Sequence, residues 1–175
     1  MIQQYKKILF PTDLSESARA CFDHAASLAA HYRAGIVILH VVEGESMETT
    51  RSRLSVFLGS AKLRELEEGR GVQAKSARDI LIGKRRDAEV IRDALNLFCE
   101  DANSGLKDKP PEYQIIVKQG DAVQRILSVA KSEQCDLIVM GHGKYGALEE
   151  AVLGSTTKSL LKKCKIPVLI IPIPN

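Results

Sequence analysis

The sequence predicts an α/β protein built on an open, five-stranded parallel sheet with helices on both faces. Three observations carry this. Apolar runs such as residues 36–42 (IVILHVV) and 168–171 (VLII) are nearly continuous, which suits strands covered on both faces. Between such runs apolar residues recur at helical spacing, so strands and helices alternate along the chain. Gly35, Gly105, Pro110 and Pro111 punctuate the pattern at element boundaries.

Residues 7–10 (KILF) read as a short strand stopped by Pro11, and Thr12, Asp13, Leu14 and Ser15 form a polar turn behind it. Ala18, Cys21, Phe22, Ala25, Leu28, Ala29 and Tyr32 mark a helix with one buried face, capped by Asp13 or Ser15 and closed by Gly35. With the strand at 36–42 these elements make one βαβ unit, whose crossover should be right-handed. Two helices are expected next, over 47–68 and 84–101. Their stripes are Leu54, Phe57, Leu58 and Ala61, then Val90, Ile91, Ala94, Leu95 and Phe98. Between them, around Ile80-Leu81-Ile82, a turn, a helix extension and a short strand all remain open. This charged middle is either a solvated cover or a partner-binding surface.

Beyond Pro111 the alternation returns. Residues 113–117 form a strand, and Gly120-Asp121 is a turn and cap with Gln124 in capping-box position. Val123, Ile126, Leu127 and Ala130 give the next helical stripe. An apolar run, Leu137 to Met140, then ends at Gly141. The last long helix runs from Ser155 through Leu160, Leu161 and Cys164, with Lys162, Lys163 and Lys165 suiting its C-terminal dipole. Residues 167–172 form the final strand.

Composition bounds the function. A chain of 175 residues fits one domain, 1–175, with an extended helical insertion at about 44–110. A net charge of +3, with both signs interleaved, does not call for nucleic acid as a partner. Cys21, Cys99, Cys135 and Cys164 are far apart and read as reduced thiols rather than a disulfide framework or zinc site. No apolar run approaches the length of a membrane span, and a cytoplasmic protein is expected.

The chemistry is concentrated in residues 136–157 (DLIVMGHGKYGALEEAVLGSTT). A strand feeds a glycine-rich loop with Gly141, Gly143 and Gly146, and Gly154-Ser155-Thr156 stands just ahead of a helix. Glycine lets backbone N–H groups approach a ligand, and the free N–H groups of a helix N-terminus favour a phosphate. The same glycines serve equally as turn formers and a helix cap. There is no Walker A sequence, and the G-x-G-x-x-G spelling at Gly141 lacks an acidic ribose partner. In open parallel sheets ligands lie beyond the carboxyl ends of the strands, where strand order reverses. If strands one and four meet there, Pro11-Thr12-Asp13 faces Gly141 and Val41 lies close to both, as in a mononucleotide site.

The run KILFPTDLSESA from Lys7, then ILHVVE from Ile38, DLIVMG, LGSTT and a C-terminal PVLIIP resemble the universal stress protein family. The resemblance covers roughly residues 5–43 and 113–173. It implies strand order 3-2-1-4-5, a homodimer and, in the nucleotide-binding branch, ATP held by G-x-x-G, nine residues, then G-S/T. On this sequence it implies Asp13 at the ribose, Val41 meeting the adenine through its backbone, Gly141 opening the loop, and Gly154, Ser155 and Thr156 on the phosphates. The candidate nucleotide-binding set is Pro11, Thr12, Asp13, Val41, Met140, Gly141, His142, Gly143, Lys144, Gly154, Ser155 and Thr156. Lys144 stands where the family places its second glycine, with Gly143 one residue early.

Two functions follow: an ATP-binding regulatory or stress-response protein that takes Mg²⁺ with the nucleotide, and a nucleotide-free interaction module of the same fold. Catalysis is not expected, although slow ATP hydrolysis stays open. Asp13, His142 and Ser155 suggest a hydrolase triad only superficially, because no G-x-S-x-G elbow precedes Ser155. His24, His31 and His40 lack metal-ligand spacing, and His40 reads as a packed histidine. In the implied strand order the final strand lies at a sheet edge. Its pairing with a second copy is the expected dimer contact, unless the middle helices cover that edge.

Overall fold

In the computed structural model residues 4–69, 77–103, 110–142 and 153–172 are described. The chain divides into two compact units, Met1–Gly44 with Lys107–Asn175, and Glu45–Leu106.

The first unit holds β1 (Lys7–Thr12), α1 (Glu16–Tyr32), β2 (Gly35–Val42), β3 (Tyr113–Gln119), α5 (Ala122–Ser132), β4 (Leu137–His142), α6 (Ser155–Lys163) and β5 (Val168–Pro172). All five strands are parallel in one sheet of order β3-β2-β1-β4-β5. Alternation along the strands sorts the core into two layers. Phe10 turns to α1, where its ring meets Phe22 edge-on at 5.4 Å. Leu9, Val37, Leu39, Ile138 and Met140 pack on the other face with Val123, Ile126 and Val129 of α5 and Leu160 of α6.

Local chemistry sets the ends of the helices. Ser15 caps α1, its hydroxyl accepting from the Ala18 N–H at 3.1 Å, so of the two candidate caps Ser15 is the one used. The helix closes at Arg33 in the left-handed region (φ 53°), not at Gly35, which opens β2 instead. Asp121 caps α5 by accepting from the Gln124 N–H at 2.8 Å. The final helix stops at Lys163, before Cys164 and Lys165.

The second unit contains α2 (Met47–Leu58), α3 (Ser60–Gly69) and α4 (Ala77–Asn103). Three helices therefore stand where the stripes predicted two. Gly59 makes the break: its φ of 98° is open to glycine and strained for other residues. The break resets the helical phase, so Leu63 is buried in α3 whereas Ala61, expected on the stripe, is exposed. The ambiguous residues 80–82 lie in helical backbone as part of α4. Phe57 and Phe98 stack at 4.5 Å, with Leu54, Ile91, Ala94 and Leu95 fully buried. Arg51 pairs with Glu67 at 2.5 Å, and Lys62 pairs with Asp101. These are exposed pairs of small energetic weight.

One carboxylate ties the amino ends of β1 and β4 together. Asp136 accepts from the Lys6 N–H at 2.8 Å and the Lys7 N–H at 3.1 Å, while its own N–H donates to the Lys7 carbonyl at 2.9 Å. Asp136→Ala removes two bonds to a charged acceptor. It should lower the unfolding free energy by about 1–3 kcal/mol, read as a shift of the denaturant midpoint.

Candidate functional site

The carboxyl ends of β1 and β4 form the switch point of the sheet, since the chain proceeds from β1 outward in both directions. The β1–β4 ladder is short, with only Ile8 opposite Leu137 and Leu9 opposite Ile138. Its length follows from backbone parity. The Lys6 carbonyl accepts from Gly35 of β2 and the Lys7 carbonyl from Asp136 beside β4, so odd-numbered β1 residues turn their backbone groups to β4. The next odd position after Leu9 is Pro11, which has no N–H to donate. Beyond that point β1 continues to Thr12 paired with β2, and β4 continues to His142 paired with β5. Two strands expected to stop at Pro11 and Gly141 thus run through both residues, because each keeps its outer neighbour.

Behind β1 the chain turns through a chain of short-range bonds. The Thr12 hydroxyl accepts from the Leu14 N–H at 3.1 Å, and Asp13 Oδ1 accepts from the Ser15 N–H at 3.0 Å. Leu14 is fully buried in the left-handed region (φ 59°), a conformation that costs a non-glycine residue about 1 kcal/mol. Asp13 is exposed, and among the described residues nothing meets its Oδ2. That oxygen is a ready acceptor for a ligand hydroxyl.

The neighbouring strand contributes Val41, opposite Lys118 of β3 and partly buried against the core. Just past β2, Glu43 Oε1 accepts from the Ala122 N–H at 2.7 Å, and the Val42 carbonyl accepts from Gly120. The end of β2 is thereby fixed to the start of α5.

The helix α6 connects two parallel strands, so it runs against them and its N-terminus lies at the carboxyl edge of the sheet. Its N-cap is Gly154, with no side-chain cap bond. By contrast α1, α2 and α5 are capped by the side chains of Ser15, Ser46 and Asp121. Among the described residues no side chain caps the first turn of α6, so its N–H groups can take an anion there. Ser155 is exposed and Thr156 half-buried at this end, while Thr157 is buried.

Of the predicted site residues, Pro11, Thr12, Asp13, Val41, Met140, Gly141, His142, Gly154, Ser155 and Thr156 all lie at this carboxyl edge. Gly143 and Lys144 fall outside the described residues. Sequence reasoning passed over the bonding of His40. This residue is 4% exposed, and its Nδ1 lies 2.9 Å from the Thr12 carbonyl oxygen. A carbonyl only accepts, so the proton sits on Nδ1. The available signal was a lone polar residue inside the apolar run IVILHVV.

Among the described residues no cluster of three His, Cys, Asp or Glu side chains could hold a metal ion. No described helix is long and apolar enough to cross a membrane.

The fold and the motifs together define a family. The universal stress protein family model matches residues 4–172, and the chain belongs to that family. It is 30% identical over 176 residues to universal stress protein MJ0577 of Methanocaldococcus jannaschii, a match spanning 100% of this chain and 99% of the relative. The solved structure of MJ0577 superposes with a TM-score of 0.62 at 25% identity, covering 99% of each chain. UspA from Lactobacillus plantarum gives a TM-score of 0.65 at 21% identity, covering 97% of this chain and 99% of its own. A universal stress protein solved in complex with cAMP gives 0.57 at 18% identity, covering 97% and 98%. These last two share the fold.

Cys21, Cys99 and Cys135 are buried. Burial, with the negative charge of Asp13 adding to it, pushes the Cys21 thiol up to about 11. Burial likewise raises Cys135 to about 11 and Cys99 to about 12. At pH 8 a thiol of that acidity is thiolate in only about one molecule in a thousand or fewer. Cys164 is half-buried, its thiol donating to the Ile166 carbonyl. With a maleimide at pH 8, the folded protein should label at Cys164 well before the other three cysteines, as read by mass spectrometry of digests.

Proposed function

We propose that this chain is a cytoplasmic stress-response protein that binds ATP together with Mg²⁺ at the carboxyl edge of the sheet. It acts through nucleotide-dependent contacts between copies or with a protein partner rather than by turnover. The observation that carries the reading is the N-terminus of α6, where Gly154 supplies no capping oxygen. A phosphate would take the place that Ser15, Ser46 and Asp121 fill on α1, α2 and α5. The adenine and ribose are assigned to the β1–β2 side, where Val41, one residue past the last β1–β2 pair, offers a backbone group and Asp13 Oδ2 an acceptor. One protein of this fold has been solved with cAMP, which sets an adenine nucleotide within the ligand chemistry of the fold. No metal cluster is required of the protein, because Mg²⁺ would travel on the phosphates.

Calorimetry with MgATP tests this. Gly154→Val should abolish binding while preserving the circular dichroism of the fold, since a branched side chain would occupy the phosphate position. Asp13→Ala should weaken binding by about 1–3 kcal/mol, the range for a hydrogen bond to a charged acceptor. Equal affinity for Gly154→Val and the unmodified protein would remove the site assignment. The second reading, a nucleotide-free interaction module, draws on Lys144 at the family's second glycine position. It gains if the unmodified protein takes up no nucleotide.

Assembly belongs to the same proposal. β5 ends the strand order and carries Leu169 at 37% exposure, with Leu161 of the preceding helix at 43%. Antiparallel pairing of β5 with its copy would satisfy the free backbone edge, and Pro167 and Pro172 limit that pairing to about four residues. A dimer is expected by light scattering, shifted toward monomer by Ile170→Pro. A monomer mass for the unmodified protein across a concentration series would rule the arrangement out.

A further inference from the structure

We propose that His40 is the positioning residue of the nucleotide site: its Nδ1–H bond to the Thr12 carbonyl holds the turn that presents Asp13, and so sets ligand affinity without touching the ligand. The inference rests on the nucleotide reading above and deepens it.

The argument starts from the strand. His40 stands opposite Thr12 in the β1–β2 register, in a run of otherwise apolar residues. Burying an imidazole there is unfavourable unless its polar atoms are bonded, and an apolar residue would pack β2 without that cost. What the histidine supplies is a donor 2.9 Å from the last carbonyl of β1. Thr12 is an even position, so its carbonyl turns toward β2, and the imidazole fixes the plane of the Thr12–Asp13 peptide from that side. Everything downstream of this peptide depends on its orientation. The Thr12 hydroxyl holds the Leu14 N–H, Leu14 takes the strained left-handed conformation, and Asp13 Oδ1 holds the Ser15 N–H. Ser15 in turn caps α1. A strained turn persists only where its surroundings over-determine it, and on the side facing β2 the His40 imidazole adds a bond to the backbone pairing of Thr12 with β2.

The role belongs to the Nδ1 donor rather than to ring volume, and two substitutions separate the two. In His40→Asn the side-chain amide can carry a donor close to the position of Nδ1, but the smaller residue leaves a void. His40→Phe keeps the volume and removes the donor. By packing alone Asn is the more damaging change, whereas by positioning Phe is.

Calorimetry with MgATP on the full chain should show affinity lowered about tenfold in His40→Phe and restored to within about threefold in His40→Asn, while melting temperatures rank the two variants the other way. Hydrogen exchange on the ligand-free proteins should show faster exchange of the Leu14 and Ser15 amides in His40→Phe, recovered in His40→Asn. Unchanged affinity in His40→Phe, or affinity that follows melting temperature through both variants, overturns the proposal. If the unmodified protein binds no MgATP, the nucleotide reading fails by itself. The exchange data then decide the turn separately, and unaltered exchange in His40→Phe overturns that role whatever the ligand.

Discussion

The site depends on a hydrogen bond that cannot form. β1 lies between β2 and β4, and a central strand ordinarily laces both neighbours along its length. At Pro11 the donor that would continue toward β4 is missing, and the ladder stops at Leu9 opposite Ile138. Neither strand ends there, because β2 carries β1 on to Thr12 and β5 carries β4 on to His142. The outcome is a seam at the middle of the sheet where two strand ends project without being tied to each other. A proline in a central strand would elsewhere be a defect. At a switch point it gives backbone at which a ligand can lie.

The rest of the unit stabilises that seam from below and behind. Asp136 ties β1 to β4 at the opposite end through the Lys6 and Lys7 amides. Leu9 and Ile138, the last paired residues of that ladder, are fully buried against α5 and α6. On the other face Phe10 and Phe22 anchor α1. The bonds at Thr12, Asp13 and Ser15 then set where Asp13 sits, and Glu43 and Gly120 fix the end of β2 beside it. A rigid base with a locally unpaired edge suits ligand binding, since little ordering remains to be done when the ligand arrives.

Much of this was legible in the sequence, for identifiable reasons. Strands buried on both faces, such as IVILHVV, leave a continuous apolar signature, and the Asp121 cap follows from its spacing to Gln124. The family resemblance supplied the strand order, which periodicity cannot give. Strand ends were less legible. Pro11 and Gly141 look like terminators in isolation, but each sits in a strand whose outer neighbour keeps it extended. Gly59 was hidden because the apolar spacing on either side reads as one helix, and only its φ of 98° shows the break. The left-handed Leu14 carried no sequence signal, and the His40–Thr12 bond showed only as a lone polar residue inside IVILHVV, its partner being set by the β1–β2 register.

The central claim is that the β1–β4 seam and the α6 N-terminus together receive one nucleotide, and amide chemical shifts test it most directly. Titrating MgATP into isotopically labelled protein should move the Asp13, Gly141, Ser155 and Thr156 amides along one saturable curve. Saturable shifts confined to residues 45–106, or no saturable shift at the four amides, would contradict the account.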